Sequence, residues 1–166
     1  SRLGSRLLFI LLMLFFSDLA FAETRAELAE RRVKPLLVPE LKEKHLAYGN
    51  AVFIRIFKAE KILELWVKKG DRFVSFKTYP ICTFSGRLGP KIRQGDNQAP
   101  EGFYRVGSGQ LNPNSRYHLS FNLGYPNAHD RANQRTGDFL MVHGNCVSIG
   151  CYAMGDAAIE EIYTLM

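Results

Sequence analysis

Residues 138–154 have the sequence DFLMVHGNCVSIGCYAM. An apolar, strand-like run leads to His143, a turn follows, and Cys151 comes just before a segment with a helical pattern. Catalysis by a thiol needs a thiolate, which a neighbouring imidazole and a helix N-terminus both favour. Cys151 follows His143 by eight positions, and glycines at 144 and 150 allow the backbone to fold back sharply. The segment predicts Cys151 as nucleophile and His143 as general base, with core packing as the alternative.

The backbone of the same segment is a candidate for stabilising a negatively charged intermediate. N–H groups around Ser148 and Cys151 are suitably placed to bind an oxyanion during acyl transfer. Gly144 and Gly150 are predicted to shape the loop that presents these donors. We therefore predict Ser148, Gly150 and Gly144 as oxyanion and loop support.

The first residues have the pattern of a secretory signal. Arg2 and Arg6 give a positive start, residues 7–16 are continuously apolar, and Ala20-Phe21-Ala22 forms a cleavage site. The apolar run is about half as long as the roughly 20 residues that span a bilayer, which disfavours a membrane anchor. We expect residues 1–22 to be a signal peptide, and we expect no stable membrane span after its cleavage.

The remaining chain is long enough for one domain with its own core. The whole sequence carries a net charge of +6, and its basic residues are spread along the chain. A spread excess suits a polyanionic surrounding such as the cell wall. Because no basic stripe or repeated aromatic platform is present, we expect no nucleic-acid partner.

The three cysteines are Cys82, Cys146 and Cys151, an odd and low number for an exported chain. This count argues against a disulfide-rich scaffold and predicts at least one free thiol. Cys82 is predicted to pack in a strand. Cys146 is predicted mainly as a packed small hydrophobe, with a resolving thiol or a disulfide partner as alternatives.

Residues 23–49 are predicted to form a short helical leader. Thr24 and Glu27 have the spacing of a capping box, and the helix they begin is predicted to end at Pro35. A second short helix is predicted over residues 39–48. The leader is expected to pack on, or tether, the main domain.

From residue 51 the apolar period changes from 3.6 to 2, which indicates strands. Three of them, over 53–57, 62–67 and 72–79, are predicted to form an antiparallel meander. Further short strands are predicted over 102–106, 118–123 and 138–143. The spacing favours a mainly β fold of sandwich type with long loops.

A helix is predicted at the end of the sequence, with Asp156 as N-cap. Its apolar face is formed by Ile159, Ile162, Tyr163 and Met166. Because the pattern runs to the last residue, and because the first residue is Ser1, we expect residues to be missing at both ends.

The chain resembles the L,D-transpeptidase (YkuD) family and, within it, the YafK-like branch. The matching elements are His143-Gly144, Ser148-x-Gly150-Cys151 and the segment GDNQAPEGFY at residues 95–104. The last of these is similar to the family's Thr-Pro-x-Gly-x-Phe segment. The resemblance covers residues 50–166, which we expect to form a YkuD-like catalytic domain, with a helix after the catalytic cysteine.

The resemblance implies a cysteine acyl-transfer enzyme that acts on peptidoglycan stem peptides at meso-diaminopimelate. His143 and Cys151 match the family's general base and nucleophile, while Ser148 and Gly150 match positions that frame the oxyanion hole. The acyl group would pass to an amine, to a lysine of a murein-bound lipoprotein, or to water. No cofactor is implied, and the implied location is the periplasm of a Gram-negative bacterium.

Two differences from the common family pattern bear on the acceptor. Only residues 145–147 separate His143-Gly144 from Ser148, where the common pattern has a longer loop, and Ile149 stands where that pattern has His. In the YafK-like branch the same differences accompany cleavage of the bond between murein and its lipoprotein. Hydrolysis and transfer both stay open, and a non-catalytic peptidoglycan-binding module that keeps the family cleft is the alternative.

Other polar residues are weaker candidates. Substrate binding is predicted for Tyr117, Asn122, Tyr125 and Arg131, although such residues are equally typical of turns and solvated loops. Charges at Lys91, Arg93 and Arg135 are further candidates for the stem-peptide carboxylates. A zinc site built from His129, His143, Cys146 and Cys151 lacks paired ligand spacing, so no metal is predicted.

Overall fold

Short strands and long loops make up most of residues 22–166, the part of the chain that this computed structural model describes. The signal-peptide prediction falls on residues 1–22, which apart from Ala22 lie outside the described residues. The elements in chain order are α1 (Arg25–Glu43), β1 (Val52–Phe57), β2 (Ile62–Lys69), β3 (Arg72–Pro80), β4 (Thr83–Phe84), a 3-10 turn (Ser108–Gln110), β5 (Leu111–Asn112), β6 (Ser120–Asn122), α2 (Ala128–Ala132), β7 (Met141–His143), β8 (Tyr152–Ala153) and α3 (Asp156–Leu165). The mainly β prediction, with a helix near each end, is confirmed.

The leader forms one helix where the sequence predicted two. Thr24 and Glu27 make the predicted capping box, but α1 continues through Pro35 and Pro39 to Glu43. Each internal proline costs a helix about 3 kcal/mol. The helix persists because one apolar stripe runs past both prolines and is buried, at Ala29, Val33, Leu37 and Leu41. Packing of this stripe outweighs the tendency of the two prolines to end the helix.

The predicted meander is confirmed. Strands β1, β2 and β3 pair antiparallel in that order, with a register shift between Leu65 and Trp66. Alternate residues of the central strand, Leu63, Leu65 and Val67, are buried. The regular period of two in the sequence therefore corresponds to one buried face of this sheet.

The second sheet has five very short strands in the order β4-β8-β7-β6-β5. Strands β6 and β7 lie within the predicted segments 118–123 and 138–143. The strand predicted over 102–106 is wrong, since that segment is a loop in which Gly102 has a φ of 154° and Phe103 is 89% exposed. The pairing of β7 with β8 is parallel, and it brings the two ends of the 138–154 segment side by side.

Helix α3 packs against α1 and the second sheet, with Ile159, Ile162 and Leu165 buried. Its N-cap is Gly155, and Asp156, predicted as the cap, is the first helical residue. The Asp156 carboxylate instead accepts the backbone N–H of Asn145 at 2.7 Å. The helix is thereby fixed to the loop that follows His143.

Candidate active site

The parallel strands β7 and β8 bring His143 and Cys151 to the same face of the second sheet. Val142 is opposite Tyr152 and His143 is opposite Ala153. Because side chains alternate along a strand, continuing this register by one pair puts Cys151 beside Met141, diagonal to His143. Strand spacing and rise give about 8 Å between the two Cα atoms. This diagonal placement brings the imidazole and the thiol onto one surface.

His143 is almost completely enclosed, with 2% of its surface exposed. Its Nδ1 lies 2.5 Å from the carbonyl oxygen of Gly144, and since a carbonyl only accepts, Nδ1 carries the proton. Nε2 is then free to accept a proton. The ring of Tyr117 stacks on the imidazole, with centroids 4.5 Å apart. Burial lowers the pKa of His143, although the bond to Gly144 opposes the shift, so the imidazole is neutral at pH 7.

Cys151 is half-buried and is present as a thiol at neutral pH. Burial raises its pKa, and the nearby backbone N–H of Met141 offsets only part of that shift. Its Sγ lies 3.9 Å from the carbonyl oxygen of Phe139, and within residues 22–166 no hydrogen bond joins it to the imidazole. The helix predicted after Cys151 is present as α3, and it begins at Asp156, five residues further along the chain. Activation of the thiol therefore depends on a base.

Ser148 occupies the donors that were predicted to bind an oxyanion. Its hydroxyl oxygen accepts the N–H groups of Gly150 at 3.3 Å and Cys151 at 3.0 Å, and it donates to the Cys151 carbonyl at 2.5 Å. Gly150 has a φ of 129°, which suits glycine. The serine thus folds the loop, and an oxyanion that uses these two N–H groups must displace its hydroxyl.

Gly144 lies where three parts of the chain meet. A Cβ at this position would be 2.7 Å from the carbonyl oxygen of Tyr117, 2.7 Å from the carboxylate of Asp156 and 2.9 Å from Ile159. Real Cβ atoms do not approach backbone so closely. The glycine is therefore required by packing between the end of β7, the loop containing Tyr117 and α3.

Cys82 and Cys146 form a disulfide with their Cα atoms 5.5 Å apart. The prediction that both are packed thiols is wrong, and the disulfide alternative for Cys146 is correct. Cys151 is the free cysteine of the described chain, as the odd count required. The bond attaches the short loop 145–147 to the residue before β4. Its partners are 64 residues apart, a separation that gives no local signal in the sequence.

Among the weaker candidates, Tyr117 is the residue that stacks on His143. Asn122 uses its side-chain oxygen to accept the N–H of Gly124, and Arg131 donates to the Pro126 carbonyl. Tyr125 is 4% exposed, so we do not assign it to substrate binding. Lys91 and Arg135 are paired with Asp96 and Asp130 respectively, which leaves them occupied by the fold.

Three large apolar side chains in the segment 138–151 are exposed, and the sequence analysis singled out only one of them, Ile149. Phe139 is 68% exposed, Val147 51% and Ile149 81%. Phe139 also has a φ of 52°, a conformation uncommon for a bulky residue. Its carbonyl contacts the thiol. A functional role for this residue could not be inferred from its type, because the signal lies in its backbone conformation.

Two features are absent from residues 22–166. In that range, no three His, Cys, Asp or Glu side chains are grouped so that they would hold a metal ion. The same range contains no helix that is both long and apolar enough for a membrane crossing.

Comparison with known proteins gives a consistent family match. The model of the YkuD L,D-transpeptidase catalytic domain matches residues 51–166. The protein named "Putative L,D-transpeptidase YafK" in Escherichia coli K12 is 54% identical over 115 residues, which cover 69% of this chain and 47% of that protein. Its counterpart in strain O157:H7 matches equally. The chain thus spans about half the length of these relatives.

Solved structures share the fold. The helical cell shape determining protein Pgp2 from Campylobacter jejuni superposes with a TM-score of 0.59 at 24% identity, over 78% of this chain and 50% of that chain. Bd1075 from Bdellovibrio bacteriovorus superposes with a TM-score of 0.51 at 20% identity, over 70% of this chain and 44% of that chain. At these identities the likeness concerns the fold alone.

Proposed function

Because this chain belongs to the L,D-transpeptidase (YkuD) family, we propose that it is an exported cysteine acyl-transfer enzyme that acts on peptidoglycan stem peptides at meso-diaminopimelate. The observation that carries the proposal is the placement of a free thiol, Cys151, directly before β8 and diagonal to a buried neutral imidazole, His143, on the parallel strand β7. Residues 23–49 act as a leader to the catalytic domain, and the signal pattern supports a periplasmic location. No cofactor takes part.

In the proposed reaction, Nε2 of His143 removes the proton from Cys151 while the sulfur attacks the carbonyl carbon of diaminopimelate. The carbonyl π electrons move to oxygen, and the N–H groups of Gly150 and Cys151 bind the oxyanion as the Ser148 hydroxyl leaves them. When the tetrahedral intermediate collapses, the C–N bond breaks and His143 gives its proton to the departing amine. A thioester to Cys151 remains.

The second half of the reaction determines whether the enzyme cleaves or joins. We propose water as acceptor, acting on the bond between murein and a bound lipoprotein. His143 removes a proton from water, hydroxide attacks the thioester carbon, and the thiol recovers the proton. Two features support this choice. The loop 145–147, held by the Cys82–Cys146 disulfide, has only three residues with which to bind a second peptide, and the exposed side chain of Ile149 offers that peptide no polar contact.

Digestion of lipoprotein-linked muropeptides by the complete protein tests the proposal. Hydrolysis releases the lipoprotein peptide with a free amine and leaves a stem peptide with a free carboxylate, whereas transfer gives a new crosslink. Cys151→Ala should abolish either product, and Cys151→Ser is the matched variant that keeps the side chain's size. Turnover retained in Cys151→Ala would overturn the assignment. Binding of muropeptide without turnover or thioester in the native protein would favour the non-catalytic module.

A further inference from the structure

Helix α1 lies outside the matched region 51–166, yet it holds a loop that contacts the catalytic imidazole. The guanidinium Nη1 of Arg25 donates to the carbonyl oxygens of Ser115 and His118, both at 2.6 Å. These two acceptors are the ends of the four-residue segment 115–118, called here the clamped loop. A single arginine therefore fixes both ends of the loop.

A second contact secures the same loop through α3. The imidazole Nε2 of His118 lies 2.7 Å from a carboxylate oxygen of Glu160, and Arg32 of α1 donates to that carboxylate through Nη2 at 2.5 Å and Nε at 3.2 Å. Burial opposes ionisation of Glu160, but the bonds from Arg32 and His118 outweigh it and lower its pKa. Glu160 is thus a carboxylate shared between α1 and the loop.

The clamped loop carries Tyr117, whose ring stacks on His143 at 4.5 Å. The backbone of Tyr117 is equally constrained, because its carbonyl oxygen is 2.7 Å from the position a Cβ of Gly144 would take. Gly144 in turn supplies the carbonyl that binds Nδ1 of His143. Movement of the loop would consequently disturb both the stacking of the imidazole and the acceptor that fixes its tautomer.

We propose that Arg25 is a positioning residue for His143, and that α1 completes the active site by holding the clamped loop against the imidazole. The catalytic meaning of this inference rests on the proposed function, while the coupling from Arg25 to His143 does not. Packing explains why α1 is present, because its apolar stripe is buried at Ala29, Val33, Leu37 and Leu41. It does not account for an arginine that binds two carbonyls of one loop.

The test compares Arg25→Gln with Arg31→Gln in the full chain. Arg31 is on the same helix, is largely exposed and pairs with Glu23, so its replacement removes the same charge without touching the loop. In Arg25→Gln we expect the pKa of His143, followed by NMR of its ring protons, to rise toward its ordinary value as Tyr117 leaves the ring. Alkylation of Cys151 by iodoacetamide at pH 7 and kcat on muropeptides should each fall on the order of tenfold, with KM little changed. Arg31→Gln should match the native protein.

Two additional variants separate positioning from loss of structure. Arg25→Lys keeps a donor and should recover part of the alkylation rate. In a Tyr117→Leu background, Arg25→Gln should add little, because both changes break the same route. The inference would be overturned if the effects of Arg25→Gln and Tyr117→Leu on the alkylation rate were fully additive. An unchanged His143 pKa in folded Arg25→Gln would overturn it as well. If the native protein turns over no muropeptide but the His143 pKa still shifts in Arg25→Gln, the positioning stands and the proposed function fails.

Discussion

The two sheets of this molecule are stabilised in different ways. In the meander, β2 and β3 have eight and nine residues, pair along their length and bury alternate side chains. In the second sheet no strand exceeds three residues, and side chains that bind backbone hold it together: Asp156 on Asn145, Ser148 on Cys151 and Tyr152 on the Pro100 carbonyl. In the meander, a single substitution affects packing at one position and leaves the pairing of the strands in place. The second sheet sets the site precisely but depends on a few individual contacts.

The largest effect is expected at His143. His143→Gln removes the proton acceptor, and general base catalysis typically contributes 10²- to 10⁴-fold. We therefore expect turnover by the folded variant to fall by about that factor in steady-state assays on muropeptides. In the meander, Leu65→Ala should cost about 2–5 kcal/mol of unfolding free energy and leave turnover of the folded fraction unchanged. A fully active His143→Gln would show that another group activates the thiol.

The second largest effect is expected from removal of the disulfide. The double change Cys82→Ser with Cys146→Ser opens a link across 64 residues, for which chain entropy predicts a loss of about 4 kcal/mol in the free energy of unfolding. Urea denaturation with and without the double change measures it. Because Cys151 is untouched, the folded variant should still be alkylated at one site. No loss of stability would mean that side-chain anchors alone hold the second sheet.

A methyl group at Gly144 should produce a smaller effect that falls on both stability and function. Gly144→Ala drives a Cβ into the Tyr117 carbonyl, and overpacking of this kind costs about 1–3 kcal/mol. The alkylation rate of Cys151 should fall as well, since the imidazole loses its alignment. Gly109→Ala is the matched control, because a Cβ there has no atom within 4 Å. Equal unfolding midpoints for the two variants would contradict the packing described around His143.

The smallest expected effect is a displacement of the pH profile. Burial lowers the pKa of His143, and the unprotonated ring is the active form, so kcat/KM should rise with pH through a midpoint below the ordinary 6.5. Tyr117→Leu exposes the ring and should move this midpoint upward. Initial rates between pH 4.5 and 8 measure the displacement. A midpoint at or above 6.5 in the native protein would show that the imidazole is more solvated than its 2% exposure implies.

Prediction from sequence succeeded where a physical pattern is local and long. The meander could be predicted because its strands carry a period of two over many residues. His143 and Cys151 could be proposed as a pair because they belong to one continuous motif. Strands β4, β5 and β8 are two residues long, too short to show any period. The sequence of α1 suggested two helices because proline preference is local, while the burial that overrides it depends on distant parts of the chain.

The site shows the same division. The motif singled out Ser148, Gly144 and Gly150, but it could not predict the atoms they contact, since those contacts depend on three-dimensional packing. Arg25 gave no signal, because it lies 118 residues before His143 and acts through two carbonyl oxygens. Tyr125 was selected for its residue type alone, and the structure buries it.

The disulfide has a further consequence for how an active molecule is made. Three cysteines allow three different single disulfides, and only the Cys82–Cys146 pairing leaves the nucleophile reduced. Cys146, five residues from Cys151, is by sequence the easier partner to reach. Newly made chains that oxidise at random would thus include isomers of identical composition and mass in which Cys151 is part of a disulfide. The fraction of chains with a reduced Cys151 then depends on which disulfide forms. Every single-disulfide isomer has one free thiol, so preparations should be judged by which cysteine an alkylating reagent labels, found by peptide mapping, as well as by purity.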